Sequence, residues 1–360
     1  MRTIKQPEPA QYVELRQRQT GHRQVFCLRP ARPGDEEGML ACIRGEYRES
    51  YFKRDFYSTQ ALVKMARDGH YRFFVAETDG QIAAMVALTL FPNEDYIEPA
   101  SQILLPTYRG YGLSGAMTRY LFPLAVERKP SCLFVHAVTF HDITQKNCEK
   151  AGFIPVGFRL GTFLTSRMEN SYRRGRSEKY SEGILILPVE KKDAGTLFLP
   201  EELHSFAREI YHKLGVPVEI QSVEGAPPPA LPARCVLSAV TDSVQRTVWI
   251  RVRRSGANLS RQIRAVLERF GQERLWTVQL TLRSDTPALE WEYQELKKLG
   301  FFFTGLKPLC GEHEGLYMQW IGDTQLHMEE YVLTEAFQAL RDKILVFYRQ
   351  CRQAEGGGEC

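Results

Sequence analysis

Hydrophobic positions in the first half of the chain fall into strand-like runs and helix-like spacings. Apolar runs at 71–77 and 82–91 flank Thr78-Asp79-Gly80, a turn sequence typical of a β-hairpin. Further strands are predicted at 25–28, 96–105, 132–140, 153–165 and 183–189, and helices at 35–43, 58–69, 112–127 and 142–150. This order predicts a mixed α/β sheet with a helix crossing over after its fourth strand.

A Pro-rich stretch at 225–232 separates this pattern from a second, shorter α/β pattern. After it, strands are predicted at 235–240, 247–252, 275–282, 301–306 and 316–321, and helices at 259–270, 287–299 and 328–348. The chain is therefore divided into a polar N-terminal extension (1–23), a first α/β domain (24–190), a helical bridge and linker (191–232), a second α/β domain (233–324) and a C-terminal helix and tail (325–360).

Two short segments of the chain resemble each other. Residues 150–157 read K-A-G-F-I-P-V-G, and residues 298–305 read K-L-G-F-F-F-T-G. Each segment ends a predicted helix at a Gly-Phe pair and begins a strand. Because both occur at the same place in the order of elements, they predict a duplicated structural unit.

Composition and charge narrow the class of protein. The chain has 360 residues, 43% of them hydrophobic, with 47 basic and 43 acidic side chains and a net charge of +4. This small excess argues against a nucleic-acid partner, which usually requires clustered positive charge. The one dense basic run, 167–179, contains Arg173, Arg174, Arg176 and Lys179. It is predicted to be a solvated loop, with a site for an anion as the alternative.

Targeting and metal signals are missing from the sequence. No apolar run approaches the ~20 residues of a spanning helix, and the N-terminal segment lacks the apolar core of a signal peptide. The eight cysteines include no C-x-x-C pair, so neither a zinc site nor a redox dithiol is predicted. We therefore expect a cytoplasmic protein with reduced thiols, no metal and no membrane partner.

One loop carries the candidate chemistry. Residues 103–115 read I-L-L-P-T-Y-R-G-Y-G-L-S-G, in which an apolar strand ends, a glycine-containing turn follows and a helix begins. Glycines permit unusual backbone angles and close approach of a ligand, and the first amides of a helix favour a phosphate. Arg109 either contacts that anion or braces the loop. The segment matches neither a Walker loop nor G-x-G-x-x-G.

The loop resembles that of the GNAT N-acetyltransferases, whose pyrophosphate motif is Arg/Gln-x-x-Gly-x-Gly/Ala. Arg109, Gly112 and Ser114 occupy the three positions, and Ser114 departs from Gly/Ala while remaining small. The following strand, short helix and Gly152-Phe153 pair also match. The resemblance covers residues 24–190 and implies the mixed-sheet GNAT acyl-CoA N-acyltransferase fold. It makes the second domain a partial, degenerate GNAT-like copy to which no cofactor is assigned.

The same resemblance implies acetyl-CoA as the cosubstrate, placed where the fourth strand splays from the fifth. Backbone groups of Ile103, Leu104 and Leu105 would bond to the pantetheine arm, and an N–H there would stabilise the oxyanion. The other residues implied to bind the cofactor are Arg109, Gly110, Tyr111, Gly112, Leu113, Ser114 and Gly115.

Three residues are candidates for catalysis. Glu98, on the fourth strand, would deprotonate the acceptor amine through water, or is simply a strand-start carboxylate beside Pro99. His141 stands where the family often has Asn, and acts as a base, orients a ligand or caps the helix. Cys148 takes the position of the family's tyrosine, four residues before Gly152. It would protonate the leaving thiolate, or is a small core residue.

These features imply an acetyl-CoA-dependent N-acetyltransferase in which an amine attacks the thioester directly in a ternary complex. A non-catalytic acyl-CoA sensor or interaction protein is the alternative, because the tyrosine is missing. An aminoacyl-type transferase is a third possibility, against which the modest net charge argues. The acceptor amine, a small molecule or a protein, is not identified by the sequence.

Overall fold

The computed structural model describes residues 9–91, 94–169, 175–190, 192–223, 230–309 and 313–356, without the side chains of 354–356. The chain packs as two units, the first within 1–135 and 168–171 and the second within 136–167 and 172–360. This division follows packing and falls inside a strand. The domain boundaries drawn from chain order and composition therefore stay a prediction.

The first unit is built on an antiparallel sheet with one parallel neighbour. Its strands, in spatial order, are β1 (Gln11–Arg16), β2 (Arg23–Pro30), β3 (Tyr71–Thr78), β4 (Gln81–Leu90) and β5 (Tyr96–Leu104). The start of β6 (Cys132–Val138) pairs with β5 in parallel. The helices of this unit are α1 (Glu36–Tyr47), α2 (Thr59–Arg67) and α3 (Leu113–Val126).

Residues of β3 pack against helices on both faces of this sheet, because successive side chains of a strand point to opposite faces. Phe73 and Val75 belong to a buried cluster that includes Ile43 of α1 and Leu62 of α2. Phe74 points to the opposite face. There it makes an edge-to-face contact with Tyr120 of α3, with ring centroids 6.2 Å apart. The helix that follows the glycine loop is thereby fixed to the sheet.

Strand β1 lies in the segment that the sequence predicts to be a polar extension. Each of its six residues pairs with β2, from Gln11 opposite Leu28 to Arg16 opposite Arg23. None of them is buried, and Tyr12 is 73% exposed. No hydrophobic run marks this edge strand, which explains why the sequence analysis missed it.

The second unit is also α/β. Its strands are β7 (Ile154–Leu164), β8 (Lys179–Pro188), β9 (Thr196–Phe198), β10 (Glu219–Gln221), β11 (Val236–Asp242), β12 (Thr247–Arg254), β13 (Thr277–Arg283), β14 (Phe302–Lys307) and β15 (Gly315–Trp320). Its helices are α4 (Ile143–Lys150), α5 (Glu201–Leu214), α6 (Leu259–Phe270), α7 (Ala288–Lys297) and α8 (Glu335–Gly356). The main sheet has the order β8-β7-β14-β15-β13-β12-β11, and β9 pairs with β10 separately. The prediction of a mixed α/β fold is confirmed.

The two similar segments end their helices in the same way. The N–H of Phe153 donates to the carbonyl of Cys148 at 3.0 Å, and the N–H of Phe301 donates to that of Leu296 at 3.1 Å. In each case the preceding glycine is left-handed, with φ of +92° and +81°. Such a cap needs glycine because other residues are strained at positive φ. Helices α4 and α7 are thus equivalent at their C-terminal ends.

Candidate functional site

The loop between β5 and α3 has an open, left-handed turn. Gly110 and Gly112 have φ of +84° and +76°. Gly112 immediately precedes α3, and a Cβ built on it meets no atom of the described chain within 4 Å. Glycine is required there by backbone conformation rather than by crowding, and the space beside it is free for a ligand.

The first amides of α3 adjoin this opening. The first helical hydrogen bond runs from the N–H of Ala116 to the carbonyl of Gly112, at 3.1 Å. The N–H groups of Leu113, Ser114 and Gly115 precede that bond, at the end where a helix offers no carbonyl to receive them. Together with the helix dipole, they form a site that fits an anion such as a pyrophosphate.

Arg109 braces the loop against α1. Its guanidinium forms an ion pair with Glu46, whose side chain is 6% exposed, whereas that of Arg109 is 37% exposed. A carboxylate that is this buried requires a cation. The sequence predicts that Arg109 either contacts the anion or braces the loop, and this contact supports bracing.

Side-chain hydrogen bonds join the same loop to the sheet. Ser114 Oγ donates to Gln102 Oε1 at 2.9 Å, and Gln102 Nε2 donates to the carbonyl of Ser114 at 3.0 Å. Tyr111 Oη lies 2.8 Å from His22 Nδ1. A glycine or alanine at position 114 lacks the hydroxyl. The departure from the family motif therefore adds a contact between α3 and β5.

Strand β5 stops pairing with β6 well before it stops pairing with β4. It pairs with β6 at Tyr96–Cys132 and Ile97–Leu133, whereas its other edge stays paired with β4 as far as Leu104. The N–H of Leu105 donates to the carbonyl of Ala83 in β4, at 2.9 Å. Since neighbouring strand residues direct their amides to opposite edges, the amide and carbonyl of Leu104 point away from β4. Those of Ile103 and the amide of Leu105 point toward it, whereas the carbonyl of Leu105 accepts from the N–H of Tyr108 at 3.0 Å.

A β-bulge interrupts β5 just before these residues. Ser101 has a φ of +55°, and the register against β4 shifts here. Ser101 Oγ accepts hydrogen bonds from Tyr51 Oη at 2.9 Å and from Lys53 Nζ at 3.0 Å. Bulges re-aim strand residues near functional sites. No glycine or turn sequence marks this bulge, so it could not be predicted from the sequence.

Glu98 lies on the α1–α2 side of the same sheet. It is opposite Thr89 of β4, which is opposite Tyr71 of β3, so the three side chains share a face. Glu98 is half-buried. Burial, followed by the charges of Glu98 and Asp55, raises the pKa of Tyr71. The first unit therefore contains both the glycine loop and this carboxylate.

Cys148 belongs to the second unit and is 2% exposed. Burial, followed by the charge of Glu149, raises the pKa of its thiol to about 12. The equivalent residue at the end of α7, Leu296, is fully buried. This environment supports the alternative in which Cys148 is a small core residue.

His141 precedes α4, also in the second unit. Its ring stands edge-to-face with Phe140, with centroids 5.2 Å apart. Gln145, one turn later, is fully buried, and its Nε2 donates to the carbonyls of Val138 and His141 at 3.1 and 3.2 Å. Its Oε1 accepts from the N–H of Thr334 at 3.0 Å. The polar groups of Gln145 are thus used within the fold.

The basic run at 167–179 does not behave as one solvated loop. Arg173 and Arg174 lie outside the described residues, and Arg176 is ion-paired with Glu330. Lys179 is wholly buried at the start of β8. Its Nζ donates to two carbonyls and two threonine hydroxyls, those of Arg246 (3.0 Å), Leu275 (3.2 Å), Thr247 (3.0 Å) and Thr277 (3.0 Å). The expectation of a solvated Lys179 is wrong, because these oxygens replace its water.

None of the helices in the described part of the chain has the length and apolar character required to cross a bilayer. No group of three or more His, Cys, Asp or Glu side chains there is arranged to hold a metal ion.

Residues 37–153 match the model of the acetyltransferase (GNAT) family. The chain contains a GNAT domain. The match begins in α1, includes the glycine loop and Glu98, and ends at Phe153, the second residue of the helix-closing pair. The resemblance predicted from the loop is confirmed, and the domain is that of an acyltransferase family. No curated protein matches the sequence.

Solved structures similar to the GNAT domain include several acetyltransferases. The ribosomal-protein-S18-alanine N-acetyltransferase of Escherichia coli is 15% identical, with a TM-score of 0.37 over 46% of this chain and 96% of that one. An N-acetyltransferase of Staphylococcus aureus is 16% identical, with a TM-score of 0.37 over 46% and 99%. The ribosomal-protein-alanine N-acetyltransferase of Brucella melitensis is 20% identical, with a TM-score of 0.35 over 45% and 98%.

Proposed function

We propose that this protein is an acetyl-CoA-dependent N-acetyltransferase whose acceptor amine attacks in a ternary complex. The observation that carries the proposal is Gly112, left-handed and open, directly before the first amides of α3. A side chain at this position would occupy the space that a pyrophosphate needs. The GNAT match at 37–153 supplies the chemistry expected of such a loop.

The cofactor is held mainly by backbone groups. The amides of Leu113, Ser114 and Gly115 bind the pyrophosphate, and Gly110 and Tyr111 shape the turn that exposes them. Arg109 acts through its ion pair with Glu46, by fixing the turn. Among Ile103, Leu104 and Leu105, it is Leu104 that offers its N–H and carbonyl to the pantetheine arm, because both point away from β4.

Acetyl-CoA, when bound, supplies the thioester carbonyl that the amine attacks. Glu98 accepts the proton of the attacking amine, directly or through one water. An N–H at the open edge of β5 stabilises the oxyanion. For His141 the proposed roles are those of a base or of a group that orients a ligand, with capping of α4 as the alternative. The burial of Cys148 supports a core residue rather than the donor of a proton to the leaving thiolate.

We propose one cofactor site per chain, because the equivalent region of the second unit is closed. There β12 and β13 stay paired in parallel over five residue pairs, from Thr247–Thr277 to Arg251–Thr281. In the following loop, a Cβ on Gly256 would lie 2.2 Å from the backbone nitrogen of Cys235. The chain itself fills this position.

Backbone hydrogen bonds hold that filling segment in place. The N–H of Ala257 donates to the carbonyl of Pro232 at 2.8 Å. The N–H of Cys235 donates to Asn258 Oδ1 at 2.7 Å. These contacts fill the loop before α6 with the chain itself, which supports a degenerate, non-binding GNAT-like copy.

A non-catalytic acyl-CoA sensor is the second candidate, favoured by the burial of Cys148 at the tyrosine position. The two candidates differ in turnover. Titration of the full chain with acetyl-CoA, followed by measurement of released CoA thiol with a panel of amines, tests both. The proposal predicts one binding site and amine-dependent release. Binding without release favours the sensor, and absence of binding contradicts both.

A further inference from the structure

The turn between β1 and β2, residues 17–22, is fixed by its own hydrogen bonds. Gln17 Oε1 accepts from the N–H of Gln19 at 2.7 Å, from the N–H of Thr20 at 2.6 Å and from the hydroxyl of Thr20 at 3.1 Å. The N–H of Gln17 donates to the carbonyl of His22 at 2.8 Å, and that of Gly21 donates to the carbonyl of Gln17 at 2.9 Å. The backbone that carries the side chains of this turn is therefore well defined.

The same turn is attached to the glycine loop. The N–H of Arg18 donates to the carbonyl of Gly110 at 3.1 Å, and His22 Nδ1 lies 2.8 Å from Tyr111 Oη. Near the other end of β1, the carbonyl of Pro9 accepts from Tyr120 Oη of α3 at 3.0 Å. Strand β1 therefore lies beside α3, and its turn is held at the end of α3 where the proposed pyrophosphate site lies.

The described part of the chain does not neutralise the positive charge of this turn. Arg18 is exposed, and no carboxylate of the described residues forms an ion pair with it. On β1, Glu14 is paired with Arg23 at 3.1 Å. On the next hairpin, Asp79 accepts a hydrogen bond from Gln24 Nε2 at 2.8 Å. The guanidinium of Arg18 is therefore available to an anion.

A second donor lies on the same turn. When Tyr111 Oη donates to His22 Nδ1, the hydrogen of the neutral imidazole is on Nε2. His22 is exposed, and no group of the described chain is bonded to that nitrogen. The cation of the loop itself, Arg109, is by contrast paired with Glu46. The β1–β2 turn thus supplies a cation and a neutral donor beside a loop whose own cation is engaged.

We propose that Arg18 and His22 bind the 3′-phosphate of acetyl-CoA. CoA carries this phosphate monoester on the same ribose that bears the pyrophosphate. A pyrophosphate on the first amides of α3 therefore brings a second anionic group to the neighbouring turn. A guanidinium suits it, because its N–H groups form charge-assisted hydrogen bonds to two phosphate oxygens. The inference rests on the proposed acetyl-CoA site and adds which residues select the phosphorylated cofactor.

The test compares acetyl-CoA with acetyl-3′-dephospho-CoA, which lacks only this phosphate. Calorimetry on the full chain gives the Kd of both thioesters for the wild type, Arg18→Gln and His22→Phe. Phenylalanine keeps a ring beside Tyr111 but has no N–H. The matched control is Arg23→Gln, which removes the same charge from the same hairpin, but from an arginine that is paired with Glu14. Melting curves check that each variant is folded.

The wild type is expected to bind acetyl-CoA about tenfold or more tightly than the dephospho form. Arg18→Gln should bring this ratio close to one by weakening acetyl-CoA binding alone, and His22→Phe should lower it about threefold. Arg23→Gln should keep the ratio.

Three results would overturn the inference alone. They are equal binding of both thioesters by the wild type, a ratio that Arg18→Gln leaves unchanged, and a ratio lost instead in Arg119→Gln, at an exposed arginine of α3. Absence of acetyl-CoA binding in the wild type would overturn the proposed function as well.

Discussion

Gly157 and Gly305 face each other directly in the antiparallel ladder between β7 and β14. They are the last residues of the two similar segments, 150–157 and 298–305. A Cβ on Gly157 would lie 2.7 Å from the Cα of Gly305, and a Cβ on Gly305 would lie 2.4 Å from the Cα of Gly157. The last residues of the two similar segments thus meet across the ladder, at a distance that only glycine allows.

Replacing either glycine should therefore force β7 and β14 apart. We expect Gly157→Ala and Gly305→Ala to lower the free energy of unfolding by about 2 kcal/mol or more, as overpacking does. Gly195→Ala is the control, because Gly195 also has a positive φ, of +70°, but no neighbour within 4 Å of a built Cβ. Denaturant unfolding of the second unit measures the effect. A Gly305→Ala loss no larger than that of Gly195→Ala would contradict this packing.

The order of elements was predictable from the sequence because strong periodicity and turn residues mark them. Residue type alone predicts the hairpin at Thr78-Asp79-Gly80, the glycine loop and the Gly-Phe pairs that end two helices. Strand β1 was not, since hydrogen bonding rather than burial holds it. The packing of the chain near Cys235 against Gly256 was not predictable either, because the two residues are 21 positions apart in the sequence.

The ion pair between Arg109 and Glu46 should stabilise the first unit. Arg109→Gln leaves a largely buried carboxylate without this cation, and we expect a loss on the order of 2 kcal/mol, reduced by the partial exposure of the arginine. Glu46→Gln in the same background should recover part of it. A double-mutant cycle by denaturant unfolding measures the coupling. Strictly additive losses would show that the pair does not brace the loop.

Cys148 should be chemically inert in the folded protein. It is 2% exposed, and burial, followed by the charge of Glu149, raises the pKa of its thiol to about 12, whereas Cys27 and Cys351 are half-exposed. Iodoacetamide near neutral pH is expected to alkylate the latter two and to spare Cys148 until the chain unfolds. Peptide mass spectrometry measures the three sites. Rapid native labelling of Cys148 would contradict its core position.

Lys179 should make the stability of the second unit depend on pH. Burial lowers its pKa to about 7, whereas a lysine in the unfolded chain titrates near about 10.4. Between these two pH values Lys179 is protonated in the unfolded chain but largely neutral in the folded chain. The free energy of unfolding should therefore rise with pH by up to about 1.4 kcal/mol per pH unit. The cost of burying the charged lysine is fully present below pH 7.

Lys179→Met should abolish this slope while lowering overall stability, because four oxygens lose their donor. Lys213→Met, at a lysine of α5 paired with Glu209, should keep the slope. Unfolding curves across the window from pH 7 to pH 10 supply the comparison. An unchanged slope in Lys179→Met would assign the pH dependence to other groups.

The measurement that tests the central claim most directly is acetyl-CoA calorimetry on Gly112→Val and its matched control, Gly69→Val. Both glycines are left-handed, with φ of +76° and +77°, and neither has an atom within 4 Å of a built Cβ. Both variants should therefore lose similar stability, about 1–3 kcal/mol, from backbone strain. Only Gly112→Val places a side chain before the amides of α3, and it should weaken acetyl-CoA binding at least about tenfold, or about 1.4 kcal/mol. Wild-type affinity in a folded Gly112→Val chain would contradict the account and remove this loop from the cofactor site.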